Sequence, residues 1–255
     1  MTIPKWIKRP VDFFVTVILW IYFTIGYCLF FSPFYLFSYL FSKNLENSFQ
    51  KLNHRFLKSF FIVLKIITPR LKIDIDEDVY SIRSSVILCN HISFLDPILL
   101  VSLFEKHKTI VKKTFLKVPI FGWLVKTSGY LFPTTDETSA SFLLEQVENL
   151  ENFMLSKGNL FIFPEGTRSR DGKIGRLKKG AFTLARHCQA PIQVLTIKNT
   201  NRLFAPGKWL LNTCIPNTIE VKKIMTLQPE YTSDTFSIQA LIEQVRQALE
   251  DQRQP

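Results

Sequence analysis

From residue 13 to residue 42 the chain runs thirty positions without a charged side chain, more than the roughly 20 that one helical crossing of a bilayer requires. Gly26 and Pro33 interrupt this run. Two arrangements are therefore open, a helical hairpin dipping into one leaflet and a single tilted span, and the hairpin is the expectation. The flanks carry similar charge, Lys5, Lys8 and Arg9 on one side and Lys43, Lys51, Arg55 and Lys58 against Glu46 on the other, so the positive-inside rule does not order them. A hairpin would leave both ends, and all that follows, on the cytoplasmic side. The run is too long for a cleaved secretory signal and lacks a small-residue cleavage site after it.

Beyond Asn44 the period changes. Leu45, Phe49, Leu52, Phe56, Phe60, Val63 and Ile67 recur at helical spacing, with Lys51, Arg55, Lys58 and Lys65 between them, and Pro69 closes the stretch. This predicts a basic amphipathic helix on a membrane surface; the alternative is a helix docked on the globular part. From residue 70 short apolar runs alternate with helical patterns: Leu71 to Ile75, Val86 to Cys89, Thr109 to Val111, Tyr130 to Phe132, Leu160 to Phe163, Ile192 to Ile197 and Ile219 to Ile224. Helices are expected at Thr138 to Lys157 and Ser237 to about Glu250. The pattern predicts an α/β protein with a mixed, largely parallel sheet of about seven strands flanked by helices. An amino-terminal, membrane-embedded helical segment precedes it. Residues 1–68 are expected to form the membrane part and residues 69–255 one catalytic domain, a fair size for a single core.

Composition narrows the partners. The formal charge of +11 calls for an anionic partner. Half of the 24 Phe residues precede residue 62, and no tract interleaves Arg with aromatics on a polar surface. Membrane lipids fit that distribution better than a nucleic acid. Cys28, Cys89, Cys188 and Cys214 are scattered, with no paired spacing and no His at zinc-ligand distance, so neither a metal site nor a disulfide framework is indicated. Cys28 and Cys89 are expected to be buried, inert thiols.

Candidate chemistry lies in two runs. Asn90-His91-Ile92-Ser93-Phe94-Leu95-Asp96 follows the strand-like Val86 to Cys89, and open α/β sheets place ligand sites at the carboxyl ends of strands. Asp96-Pro97 resembles an N-cap and first helical residue. A carboxylate there can hold one nitrogen of His91 and leave the other to act as a base toward a hydroxyl. Phe163-Pro164-Glu165-Gly166-Thr167-Arg168-Ser169 follows Leu160 to Phe163. Gly166 permits a tight turn, Thr167 offers a hydroxyl, and Arg168 can grip a phosphate in a fork of donors. Glu165 is placed to orient Arg168 or to touch the acceptor hydroxyl. The basic run Arg168, Arg170, Lys173, Arg176, Lys178 and Lys179 is open to three uses besides solvation: phosphate capture, an acidic carrier protein and anionic headgroups. His54, His107 and His187 lack comparable neighbours and read as surface or packing residues.

Taken together, the N-H-x-x-x-x-D and F-P-E-G-T-R-S blocks resemble those of the lysophospholipid acyltransferases, the 1-acylglycerol-3-phosphate acyltransferase family, over residues 45 to 225. The resemblance implies that His91 deprotonates the acceptor hydroxyl for attack on the thioester of acyl carrier protein or coenzyme A, and that Asp96 orients the ring. It further implies that Glu165, Gly166, Thr167 and Arg168 bind the acceptor. Lys112, Pro119 and Gly122 match the family's spacer pattern, which adds Lys112 to the binding residues. No cofactor beyond the acyl-CoA or acyl carrier protein co-substrate is implied. The partners implied are membrane lipids and a lysophospholipid acceptor. Two positions depart from the pattern: Thr135 stands where the family carries an acceptor-binding Arg, and Ala190-Pro191-Ile192-Gln193-Val194 lacks a second proline. The first keeps a different lyso-lipid or lipid alcohol open as the acceptor. A catalytically idle membrane-binding homologue is the remaining alternative.

Overall fold

The computed structural model describes residues 4–132, 140–169 and 172–252. Six strands form one sheet: β1 (Leu71–Ile75), β2 (Val86–Cys89), β3 (His107–Thr109), β4 (Asn159–Ile162), β5 (Ile192–Lys198) and β6 (Asn217–Leu227). Their order is β1-β6-β5-β2-β4-β3. The pairs β1–β6, β2–β5, β2–β4 and β3–β4 are parallel, the arrangement that alternating strands and helices dictate. The expected seventh strand reduces to a single bridge between Ile110 and Leu131. Tyr130 and Phe132 are apolar because they pack on Val125, not because they pair in a ladder.

The chain divides into two compact units, Met1–Asp76 with Ile92–Glu105 and Ile197–Val221, and Glu77–His91 with Lys106–Thr196 and Lys222–Pro255. In the first unit, helices α1 (Lys5–Ile21) and α2 (Ser32–Phe41) are joined by a π-helical stretch, Tyr22–Phe31. The result is one helical run, long and apolar enough to cross a membrane from Trp6 to Phe41. The expected hairpin is therefore not formed within this run. Gly26 falls inside the wide π turns, and Pro33 sits where those turns pass into α2, next to Ser32, whose hydroxyl donates to the Cys28 carbonyl. One face of this run buries Leu19, Tyr27 and Tyr35, while Trp6, Phe14, Leu29, Phe30, Phe37 and Phe41 are among the side chains it exposes. Cys28, expected to be buried, is exposed on it.

Helix α3 (Leu45–Ile67) starts at Asn44, whose side chain accepts from the Asn47 N–H. It is a docking helix, not a surface float. Phe49, Phe56, Phe60, Phe61 and Leu64 are buried, and Phe56 meets Tyr22, Phe23, Tyr27 and Phe31 at centroid distances of 4.9 to 6.1 Å. Such ring pairs contribute about 0.5–1.5 kcal/mol each beyond their buried area. The start of α1 is tied down by a buried carboxylate. Asp12 Oδ1 accepts from the Thr213 N–H and hydroxyl and from the Cys214 N–H, and its Oδ2 pairs with Lys8 at 2.9 Å. A charge buried to 2 % exposure is tolerable only with this many donors.

The second unit holds β2, β3, β4 and most of β5. Val86, Leu88, Leu160, Ile162, Ile192 and Val194 share one sheet face, against Leu150, Phe153 and Met154 of α7 (Ala140–Leu155), Phe182 and Ala185 of α8 (Lys179–His187), and Leu241, Val245 and Leu249 of α10 (Ile238–Asp251). Ile87 and Phe161, one position out of phase, are equally buried. Covered on both faces, β2 and β4 read as unbroken apolar runs instead of alternating ones.

Candidate active site

Three adjacent parallel strands, β2, β4 and β3, end at the same edge of the sheet. His91 follows β2 by two residues, Glu165 to Arg168 follow β4, and Lys112 follows β3. With neighbouring strands about 4.8 Å apart, the register alone assembles these sequence-distant residues at one edge. Hydrogen bonds then lock the first two loops together. The His91 N–H donates to Glu165 Oε1 at 3.3 Å, and the His91 carbonyl accepts from the Ser169 N–H at 2.8 Å.

The imidazole of His91 lies on the ring of Phe163, with centroids 4.2 Å apart and planes 23° from parallel. Stacking fixes the ring plane and leaves its nitrogens at the edge.

Glu165 is 7 % exposed, and both its oxygens are engaged by backbone: Oε1 by His91, Oε2 by the Gly175 N–H at 2.8 Å. It acts as a strut between loops. Gly166 adopts φ +70°, where other residues are strained, and a Cβ there would lie 2.6 Å from Lys178 Nζ. The Lys178 side chain thus crosses over the turn, and the Lys178 backbone N–H donates to the Pro164 carbonyl at 2.8 Å. Thr167 and Arg168 are exposed, as are Lys173, Arg176, Lys178 and Lys179. The turn is therefore an exposed cationic surface built on a buried carboxylate. Lys112, also exposed, precedes a 3-10 turn, Lys113–Lys117. Arg170 and Thr135 lie outside the described residues.

Asp96 belongs to the other compact unit, together with Ile92, Ser93 and Thr200. It is fully buried in the first turn of α5 (Leu95–Leu103). The N-cap position falls on Phe94 instead of Asp96. The carboxylate reaches backwards: Oδ2 accepts from the Ile92 and Ser93 N–H groups at 2.7 and 2.8 Å, and Oδ1 from the Thr200 hydroxyl at 2.6 Å. Ser93 Oγ accepts from the Leu95 N–H and donates to the Phe204 carbonyl. Asp96 thereby fixes the backbone of the two residues that follow His91. Beside it, Leu19, Trp20, Phe23, Phe60, Phe94, Leu95, Ile98, Phe204 and Leu211 line a cleft with apolar walls.

Sequence reasoning missed Phe163, Ser93 and Thr200 as supports. Phe163 stands inside the quoted block, one residue before the turn. Thr200 is 104 positions from Asp96 and carries no local signal. His54, half-buried against the Val101 carbonyl, and His107, buried against the Tyr130 hydroxyl, are packing residues as expected.

The model of the Acyltransferase family matches residues 70–198, half of the chain. A chloroplastic 1-acyl-sn-glycerol-3-phosphate acyltransferase of Brassica napus is 33% identical over 171 residues, 64% of this chain and 47% of the relative. A 1-acyl-sn-glycerol-3-phosphate acyltransferase of Saccharomyces cerevisiae is 31% identical over 159 residues, 61% of this chain and 52% of the relative. The chain thus spans about half the length of these curated relatives. The crystal structure of the 1-acyl-sn-glycerophosphate acyltransferase PlsC from Thermotoga maritima has the same fold, with a TM-score of 0.71 at 21% identity, covering 97% of this chain and 98% of that one. On the span of the family match, with both chemistry-bearing runs inside it, this chain belongs to the Acyltransferase family.

Proposed function

We propose that the chain is a membrane-bound O-acyltransferase that moves a fatty acyl group from a thioester to the hydroxyl of a lysophospholipid, 1-acylglycerol-3-phosphate. The observation that carries this reading is the edge shared by β2, β4 and β3, where a stacked imidazole and an exposed cationic turn leave neighbouring strands. His91 accepts the proton of the acceptor hydroxyl as its oxygen attacks the thioester carbonyl carbon. Asp96, through the backbone of Ile92 and Ser93 that it fixes, orients the imidazole. Collapse of the tetrahedral intermediate breaks the C–S bond. The thiolate leaves and takes up the proton from His91, so the products are the acylated lipid and a free thiol on coenzyme A or acyl carrier protein. Arg168, assisted by Lys112 and Lys178, holds the acceptor phosphate, with Gly166 and the Thr167 hydroxyl in the same turn.

A thioester already has a good leaving group, so positioning and one proton transfer are the protein's main work. The apolar cleft beside Phe94 and Leu95 suits an acyl chain. The exposed apolar face of the helical run from Trp6 to Phe41 supports insertion in a membrane. Naming of the curated relatives as 1-acyl-sn-glycerol-3-phosphate acyltransferases supports the acceptor. Thr135, in place of an arginine, favours a second reading in which the acceptor carries no phosphate monoester. Initial rates with one acyl donor, measured on 1-acylglycerol-3-phosphate and on phosphate-free lyso-lipids, decide between them. The first reading expects the phosphate-bearing acceptor to be preferred at least tenfold, since a charge-assisted phosphate grip of about 1.5–3 kcal/mol is lost without it. Equal rates would overturn it.

A further inference from the structure

We propose that the segment from Lys112 to Lys126 is a second lipid-contacting surface, one that docks on an anionic leaflet independently of the amino-terminal helical run. From Lys106 to Thr135 the sequence holds six lysines and no acidic residue. Two of the six work inside the protein. Lys106 donates to the carbonyl and hydroxyl of Ser156 at the end of α7, and Lys108, 3 % exposed, lies over the Phe153 ring at 4.7 Å. The other four, Lys112, Lys113, Lys117 and Lys126, are on the surface.

Between them the surface is apolar to a degree that scattered exposed side chains do not reach. Every residue from 112 to 121 is exposed. Of the nine residues from 115 to 123, six are large apolar side chains at 38 to 56 % exposure: Phe115, Leu116, Val118, Ile120, Phe121 and Trp123. Single exposed hydrophobics need no explanation, whereas a contiguous group does.

This group is a preformed platform. The 3-10 turn Lys113–Lys117 folds back on helix α6 (Phe121–Thr127), with the Gly122 N–H donating to the Val118 carbonyl at 2.8 Å. A Cβ on Gly122 would meet the Leu116 carbonyl oxygen at 2.3 Å, so only glycine allows the two backbones to approach this closely. Phe115 and Phe121 hold each other edge to face at 5.6 Å. Ile120 adopts φ +64°, a conformation β-branched residues avoid, and its side chain remains 56 % exposed. The strained backbone presents an apolar side chain outward, where the protein itself gains no burial from it.

The chemistry of the patch selects its occupant. Aromatic and aliphatic side chains flanked by lysines suit the boundary between headgroups and acyl chains, with apolar bodies below and ammonium groups at the phosphates. An acidic protein surface would meet the four lysines, yet it would leave six apolar side chains facing charge. The inference needs no acyl transfer and stands whether or not His91 is a base.

The test uses the full chain with Trp6, Trp20 and Trp209 changed to Phe, which leaves Trp123 as the emitter. Vesicles contain equal parts phosphatidylcholine and phosphatidylglycerol with brominated acyl chains. Quenching of Trp123 is expected on these vesicles, as is quenching of Trp20 in the matching single-tryptophan chain, which reports on the helical run instead. In the otherwise unaltered protein, the pair Lys113→Gln and Lys117→Gln is expected to weaken partitioning onto anionic vesicles by about 25-fold, roughly fivefold per lysine, and to leave partitioning onto pure phosphatidylcholine unchanged. Ile120→Asp is expected to weaken both. Quenching of Trp20 without quenching of Trp123, partitioning unmoved by the lysine pair, or a Trp123 response to acidic carrier protein and none to vesicles would each overturn the proposal. If the triple Trp→Phe chain fails to fold, the lysine pair decides alone.

Discussion

Two loops leave neighbouring strands, and they are built on opposite plans. Around Asp96 the polar atoms are spent inward: its carboxylate takes two N–H groups and a hydroxyl, and Ser93 links the Leu95 N–H to the Phe204 carbonyl. In the turn after β4, one residue, Glu165, is buried and fully engaged by backbone, while Thr167 and Arg168 face solvent. On the proposed function, the difference separates two tasks. A base must be held to within fractions of an ångström of its target, whereas a phosphate grip works through long cationic side chains that close on their ligand.

The largest effect expected from breaking this contrast is on rate. Replacing His91 by Ala lowers acyl transfer about a hundredfold or more, measured as initial velocity with labelled thioester on protein whose circular dichroism matches the parent. Asp96→Ala removes the acceptor from three donors and is expected to destabilise the fold by about 3 kcal/mol as well as to abolish turnover, because stranded buried donors cost roughly 1–3 kcal/mol each and partial relaxation offsets some of that. Asp96→Asn keeps an oxygen for the N–H groups and should recover most of the stability in a urea melt, with activity still lost. Recovery of both would make the carboxylate a structural brace only.

Glu165→Gln presents an amide NH2 to one of two N–H donors. A loss of about 1–3 kcal/mol in the same melt is expected, with a smaller drop in rate. Arg168→Ala has almost no effect on stability, within about 0.5 kcal/mol as for other exposed positions. It is expected to raise KM only for acceptors that bear a phosphate. Equal losses with a phosphate-free acceptor would assign Arg168 to structure.

The smallest effect concerns His54 on α3. Burial lowers its pKa from 6.5, with the Val101 carbonyl opposing that shift. The folded state therefore binds this proton less readily than the unfolded chain does. Stability is complete above the unfolded value of about 6.5 and declines as pH falls through it toward the folded value. His54→Gln should flatten this slope between pH 7 and pH 5 in thermal melts.

What the sequence made legible follows from burial. β1 and β2 lie where their apolar runs predict, and α10 begins after its Ser237 cap, because a half-buried strand alternates, a strand covered on both faces reads as an unbroken apolar run, and a capped helix has a marked start. Tyr130 to Phe132 misled for the same reason: burial against Val125 produces an apolar run without a strand. The amino-terminal run misled because Gly26 and Pro33 are breakers only in the interior of a regular helix, and here they fall in π turns and where those turns pass into α2. Of the residues the paired motifs singled out, His91 and Glu165 are hydrogen-bonded, and Asp96 holds the two residues after His91. Their supports were invisible, since the Thr200 hydroxyl reaches Asp96 across 104 positions and the Gly175 N–H returns to Glu165 from the far end of its own loop.

The central claim is that this chain transfers an acyl group to a lipid hydroxyl instead of only binding lipid. Purified protein given one isotopically labelled acyl thioester and a mixed pool of lyso-lipids tests it directly, with products identified by mass spectrometry. The account predicts a labelled diacyl phospholipid formed in step with an equal amount of free thiol, drawn chiefly from 1-acylglycerol-3-phosphate. Labelled free fatty acid alone, or no product from protein that is folded and bound to vesicles, would contradict it.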